Sequence, residues 1–240
     1  MKTIGLIGGM SWESTTSYYQ LINQGIKQRL GGLNSAKIVL NSINFAELEP
    51  MQRENRWDDA ADLLVTAAKS VEQAGADFVM ICTNTMHKVA DEVADAVTIP
   101  LLHIADATGA QLTKEHIRRV GLLGTAFTME QSFYKQRLQQ RFDLEVLVPE
   151  ANARERVHQV IYQELCLGQI RPESKAEFID VINQLKSQGA QAIILGCTEI
   201  GLLVEQQDVD IPLYDTTAIH AKAAIELALQ GAMTENDSDE

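Results

Sequence analysis

Short apolar runs rich in Ile, Val and Leu alternate along this chain with longer stretches in which apolar residues recur every three or four positions. The runs read as buried strands over residues 3–8, 37–43, 77–83, 99–104, 119–124, 144–148, 191–197 and 211–214. Helical spacing fills the gaps: over 58–73, Ala61, Leu64, Val65, Ala68 and Val71 fall near one face. Strands that are apolar throughout and separated by helices predict an α/β fold built on parallel sheets.

The pattern is written twice. "IGLIGGM" from Ile4 resembles "VGLLGTA" from Val120, at an offset of 116. "GADFVMICTNT" from Gly75 resembles "GAQAIILGCTE" from Gly189 at 114, and "IPLLHIADAT" from Ile99 resembles "IPLYDTTAIH" from Ile211 at 112. Three ordered matches at nearly constant spacing mark an internal repeat. The expected architecture is two similar Rossmann-like lobes with four-stranded parallel sheets, related by a pseudo-twofold axis. The N-terminal lobe takes residues 1–110 and the C-terminal lobe 111–230, with a helix exchange between them allowed and an acidic, frayed tail over 231–240. Open parallel sheets bind ligands beyond the carboxyl ends of their strands. The active site is therefore expected in the cleft where the two sets of strand ends face each other.

Two strand ends stand out, "MICTNTMH" over residues 80–87 and "ILGCTEIG" over 194–201. In repeat register Thr83 is the partner of Cys197, while Cys82 matches Gly196. Adjacent strand residues point to opposite faces, so Cys82 is expected to turn into the sheet packing. Cys166, within "YQELCLG", reads as a core residue of an amphipathic helix.

Composition narrows the partners. Thirty-three acidic residues against 20 Lys and Arg give a net charge of −13 over 240 residues. That argues against nucleic acid or an anionic membrane as partner, since both are densely negative. The chain opens on a strand, and no apolar run approaches the ~20 residues of a membrane span. Three cysteines, at 82, 166 and 197, show no metal spacing and cannot all pair, which fits a reducing cytoplasm.

A ligand held between groups on opposite faces can lose a proton to one and gain one from the other, inverting a stereogenic carbon. The α-proton of an amino acid is weakly acidic, so its acceptor must be desolvated and well placed, and a thiolate suits the task. Asn84 and Thr85 after the first strand end, and Thr198 after the second, offer donors for an α-carboxylate and the charge that develops beside it.

The set "GLIGGMSWEST", "CTNTMH", "GTAFTM" and "GCTEIG", in that order over two lobes, resembles the aspartate/glutamate racemase family. Within it the likeness is to the bacterial broad-specificity amino-acid and L-aspartate/glutamate racemases, and it covers the chain apart from its tail. The resemblance implies a cofactor-independent isomerase acting on a small-molecule amino acid with two opposed cysteines, assembled as a homodimer. It also implies that the loop containing Met10 closes on the substrate and that Thr125 contacts its carboxylate. The chain departs from the family where the first cysteine belongs, which is Thr83. A hydroxyl is too weak an acid to act as an alkoxide near neutrality, so one strong base, Cys197, and one weak partner are expected. Members selective for acidic substrates present Arg and Lys at places that fall here on Gln52 and Glu164. Both departures weaken an exclusive preference for aspartate or glutamate and keep substrates such as homoserine in play. Arg53 and Arg56 could compensate, although loop arginines are usually solvated.

Other positions stay open between chemistry and structure. Gly8 to Ser11 is equally an ordinary glycine turn with a capped helix, and Thr128 equally a cap. His87 is a candidate auxiliary group or a satisfied structural histidine. Glu199 orients or deprotonates the thiol, or simply complements a helix dipole. Nothing demands a metal, pyridoxal phosphate, a flavin or a nucleotide. Gly5, Gly8 and Gly9 do not spell the dinucleotide fingerprint, and only Lys88 stands near a strand end. Two alternatives remain: a single-cysteine decarboxylase or isomerase of the same fold, and a non-catalytic protein that binds a small carboxylate.

Overall fold

The computed structural model describes residues 1–230, so the predicted tail over 231–240 lies outside the described residues. The chain divides into two compact units. One comprises residues 1–103 with the C-terminal segment from His220, the other residues 104–219.

The first unit contains a parallel sheet of β1 (Ile4–Gly8), β2 (Ile38–Ser42) and β3 (Phe78–Ile81), in the order β2-β1-β3. Its helices are α1 (Trp12–Leu30), α2 (Phe45–Arg53), α3 (Trp57–Gln73) and α4 (Ala90–Asp95). On one face of the sheet Ile4, Leu6, Phe78 and Met80 pack against Tyr18, Ile22 and Ile26 of α1 and Ala221, Ala224 and Ile225 near the chain's end. On the other, Ile7, Val79 and Ile81 meet Leu64, Ala68 and Val71 of α3. Both faces of β1 and β3 are covered, which is why these two strands are apolar at every position rather than at alternate ones, whereas the edge strand β2 ends in Asn41 and Ser42.

The fourth run of this half shortens to one bridge, Leu101 with Val79. Val79 N–H donates to Pro100 O and accepts through its own carbonyl from Leu102 N–H. The helix that follows starts at Ile104. The same Ile-Pro-Leu triplet at 211–213 leads into a three-residue strand in the second half, so the proline is not what shortens this run. The predicted strand over 99–104 is reduced to a single rung.

The second unit holds α5 (Ile104–Lys114), β4 (Arg119–Gly124), α6 (Ala126–Glu130), α7 (Ser132–Phe142), β5 (Glu145–Leu147), α8 (Ala151–Gln163), α9 (Pro172–Ser187), β6 (Ala192–Gly196), α10 (Ile200–Leu203) and β7 (Leu213–Asp215). Its parallel sheet runs β5-β4-β6-β7. With Leu101 counted in place of β7, the first unit has the same strand order. The last helix, α11 (Thr216–Leu229), starts in this unit and continues into the other.

Backbone detail repeats as well. Gly75 and Gly189, 114 residues apart, follow α3 and α9 with φ of 92° and 96°. At each, the next residue's amide reaches back five positions, Ala76 N to Val71 O and Ala190 N to Leu185 O, both at 3.1 Å. This is the Schellman closure, whose left-handed residue favours glycine. It turns the chain from helix into β3 and β6 at equivalent points.

Candidate active site

The β1–α1 loop begins the first unit's contribution. Ser11 caps α1 by accepting from Ser14 N–H, and Thr15 Oγ1 accepts from Gly9 N–H at 2.7 Å. A Cβ on Gly9 would lie 2.0 Å from Ile43 O, so the loop is closed too tightly for any side chain there. Met10 is buried beside Ile7 and Ile43.

After β3 the chain passes through Cys82 and Thr83 into a tight turn of helix, Thr85–Val89. Cys82 is fully buried with Tyr18 and Leu6, and its carbonyl accepts from Ser14 Oγ. Burial pushes its thiol far above the ordinary range. Thr83 is half-buried, whereas Asn84, Thr85 and His87 are buried. Gln52, on α2, is only 3% exposed and donates to Met86 Sδ at 2.9 Å, which ties it to this turn. Arg53 and Arg56 are spent at the surface, Arg53 beside Glu54 and Arg56 on Glu54 and Asp59. The Lys88 ammonium lies 3.9 Å over the Trp57 ring, and burial lowers its pKa.

Three histidines gather behind the turn. His87 Nδ1 is 2.8 Å from Thr83 O, and its ring centroid lies 4.4 Å from that of His103 and 5.9 Å from that of His220. His220 Nε2 donates to Leu102 O at 2.8 Å, so its Nδ1 accepts from Tyr18 Oη at 2.9 Å. Complete burial pulls the His220 pKa down to about 4 and keeps the ring neutral.

In the second unit Cys197 follows β6 directly, partly buried, and its thiol donates to Glu199 Oε2 at 3.0 Å. Thr198 Oγ1 donates to the same oxygen at 2.7 Å. Glu199 is 4% exposed. Burial first, then the Glu199 charge, holds the Cys197 pKa well above the ordinary value, so the resting sulfur is a thiol. Cys166 lies in a tight turn, Leu165–Leu167, not on the helix the sequence predicts, because α8 stops at Gln163. It is partly exposed and close enough to Cys197 to add to the upward push.

Thr125 caps α6 by accepting from Thr128 N–H, and the two hydroxyls are 3.2 Å apart. Glu164, buried at the end of α8, accepts from Ser174 Oγ at 2.5 Å, with Arg156 and Arg171 at 3.8 and 3.9 Å. Among the described residues no group of three or more His, Cys, Asp or Glu side chains is gathered as a metal site.

Two further titratable groups escape the sequence reading. His103 and Asp215 are repeat partners, 112 residues apart, each directly preceding a helix. Asp215 Oδ1 accepts from Thr217 and Ala218 N–H, while burial raises its pKa against those bonds. The third repeat match contains both residues, and reading it for chemistry as well as for register would have found them.

The chain matches the family model described as Asp/Glu/Hydantoin racemase over residues 7–224. It is similar to the broad specificity amino-acid racemase RacX of Bacillus subtilis, at 23% identity over 231 residues that cover 92% of this chain and 96% of that protein. Among crystal structures it resembles a Yersinia pestis protein assigned to the Asp/Glu racemases, at 54% identity and a TM-score of 0.90, covering 96% of this chain and all 100% of the other. It also resembles an aspartate racemase homologue from Pyrococcus horikoshii, at 35% identity and a TM-score of 0.83, covering 95% and 99%. The duplicated sheets, the strand-end residues and these matches lead to one assignment: the chain belongs to the Asp/Glu/hydantoin racemase family.

Proposed function

We propose that the protein is a cofactor-independent amino-acid racemase that moves the Cα proton directly, with Cys197 as its strong base and Thr83 serving the opposite face of the substrate carbon. The observation that carries this reading is the Cys197–Glu199 hydrogen bond at the end of β6, at the repeat position of Thr83.

The resting thiol must lose its proton before it can accept one. Glu199 Oε2 is the adjacent acceptor, and transfer leaves a thiolate beside a neutral carboxyl. An incoming α-ammonium group favours the thiolate, because a positive charge within a few ångströms offsets the burial that opposes it. The thiolate then takes the Cα proton, and the carbanion accepts a proton relayed through the Thr83 hydroxyl from water. The neutral Glu199 carboxyl gives up its proton through solvent to the hydroxide left behind, which restores the resting thiol and carboxylate. Asn84, Thr85, Thr125 and Thr198 supply short polar groups for the α-carboxylate, and Met10 closes over it.

Gln52 and Glu164 face the substrate side chain in this reading, and neither is a cation. Aspartate and glutamate remain candidate substrates, with uncharged amino acids such as homoserine beside them. Solvent-deuterium incorporation at Cα, followed by NMR over a panel of L- and D-amino acids, tests the proposal. Carbon dioxide released from a malonate, without exchange at any amino acid, would favour a single-cysteine decarboxylase. Thr83 in place of a thiol is what keeps that second reading alive.

A further inference from the structure

In repeat register the helper of Cys197, Glu199, corresponds to Thr85, which carries no titratable group. The first unit instead has an imidazole two residues further on, at His87. His87 corresponds to Gly201, where the second unit has no side chain at all, and a Cβ built on Gly201 would stand 3.7 Å from Asp215 Oδ2. His103 corresponds to Asp215. The pair Gly201 and Asp215 in one unit is thus matched in the other by two imidazoles 4.4 Å apart.

The bond to Thr83 sets the state of the His87 ring. A backbone carbonyl only accepts, so the 2.8 Å contact between His87 Nδ1 and Thr83 O requires the hydrogen on Nδ1. Both His87 and His103 are buried, and His220 lies beyond them, held neutral between Tyr18 and the Leu102 carbonyl. The bond spans the segment from Thr83 to the helical turn and fixes the carbonyl of the residue whose hydroxyl must meet the substrate. Without it that carbonyl loses a side-chain donor in a half-buried setting.

We propose that His87 is a positioning residue for Thr83, acting through its Nδ1–H and not through proton exchange with the substrate. The proposal rests on the racemase reading for its kinetic consequence, but not for its geometric one. The two nitrogens of an imidazole can be mimicked separately: an Asn amide nitrogen occupies the place of Nδ1, and a Gln amide nitrogen that of Nε2. His87→Gln is therefore expected to lower kcat on the order of tenfold, the cost of one lost positioning hydrogen bond, with little change in KM. His87→Asn is expected to recover most of that loss.

The deciding experiment joins kinetics to NMR of the imidazole nitrogens in the full-length protein. The expected result is the Nδ1–H tautomer at His87, with a scalar coupling across the hydrogen bond to the Thr83 carbonyl, and activity ordered parent, His87→Asn, His87→Gln. Equal loss in both variants would overturn positioning in favour of proton exchange by the ring, and parental activity in His87→Gln would also overturn it. An Nε2–H tautomer would overturn it whatever the activity. No Cα exchange in the parent, with the Nδ1–H tautomer and coupling present, would sink the racemase reading and leave the positioning bond standing.

Discussion

The Cys197 thiol and the Glu199 carboxylate are bound through a single hydrogen, 3.0 Å from Sγ to Oε2. The carboxylate thus does two opposing things. It offers the thiol a base, and it raises the cost of a thiolate by placing a like charge beside it. Removing the charge while keeping the shape separates these effects. In Glu199→Gln the Cys197 pKa should fall, so that alkylation by iodoacetamide, followed by mass spectrometry, rises at a lower pH than in the parent. Cα exchange should fall at the same time, because the acceptor for the thiol proton is gone. A parent thiol that titrates at or below the ordinary cysteine value would contradict the electrostatic picture.

His220 makes stability sensitive to acid. Its folded pKa, about 4, lies below the ordinary value of 6.5. Between those values the unfolded chain binds more protons than the folded one. The stabilisation is therefore fully present above about pH 6.5 and is lost as pH falls towards 4. For a fully buried ring the contribution is on the order of 3 kcal/mol. Urea unfolding at a series of pH values should show it as a slope, and His220→Gln should flatten that slope while lowering stability at neutral pH. An unchanged slope in the variant would assign the acid sensitivity elsewhere.

The paired turns at Gly75 and Gly189 predict a graded cost. A Cβ on Gly75 meets nothing within 4 Å, whereas one on Gly189 would lie 2.9 Å from an Arg119 guanidinium nitrogen. Gly75→Ala should cost about 1 kcal/mol, from the left-handed backbone alone. Gly189→Ala should cost more, because the arginine must also move from its contact with Glu145. Thermal unfolding of both variants checks the order. A neutral Gly189→Ala would show that the turn relaxes.

Thr83 sets a directional prediction. A racemisation has an equilibrium constant of unity, so kcat/KM must be equal in the two directions whatever the residues. An asymmetric pair of groups instead shows itself in kcat, and one enantiomer should turn over with a much larger kcat than the other. Thr83→Cys should bring the two values closer together. Equal values in the parent would remove the asymmetry from the account.

Much of this could be read along the chain, and the misses have physical causes. The strand β4 matches its predicted range, since Arg119 and Gly124 bound a run that is apolar throughout. The fourth strand expected in the first half is a single bridge at Leu101, whereas the same Ile-Pro-Leu triplet leads into β7 in the second half, a difference that hydrophobicity does not register. Cys82 went into the core as strand alternation requires, under Tyr18. Cys166 did not follow its predicted helix, because the last turn of α8 gives way at Glu164, whose carboxylate is drawn to Ser174. The histidine cluster was invisible from local spacing. His87, His103 and His220 are far apart in sequence and meet only through the tertiary fold.

The central claim is that Cys197 takes the α-proton of an amino acid, and isotope exchange reads it most directly. Incubated in deuterium oxide with the panel of L- and D-amino acids, the parent should incorporate deuterium at Cα of at least one substrate and generate its enantiomer. Cys197→Ser, with its fold retained by circular dichroism, should lower the exchange rate by about 10²–10⁴-fold, the range for loss of a positioned base. Exchange that persists undiminished in Cys197→Ser, or no exchange by the parent with any amino acid, would contradict the account.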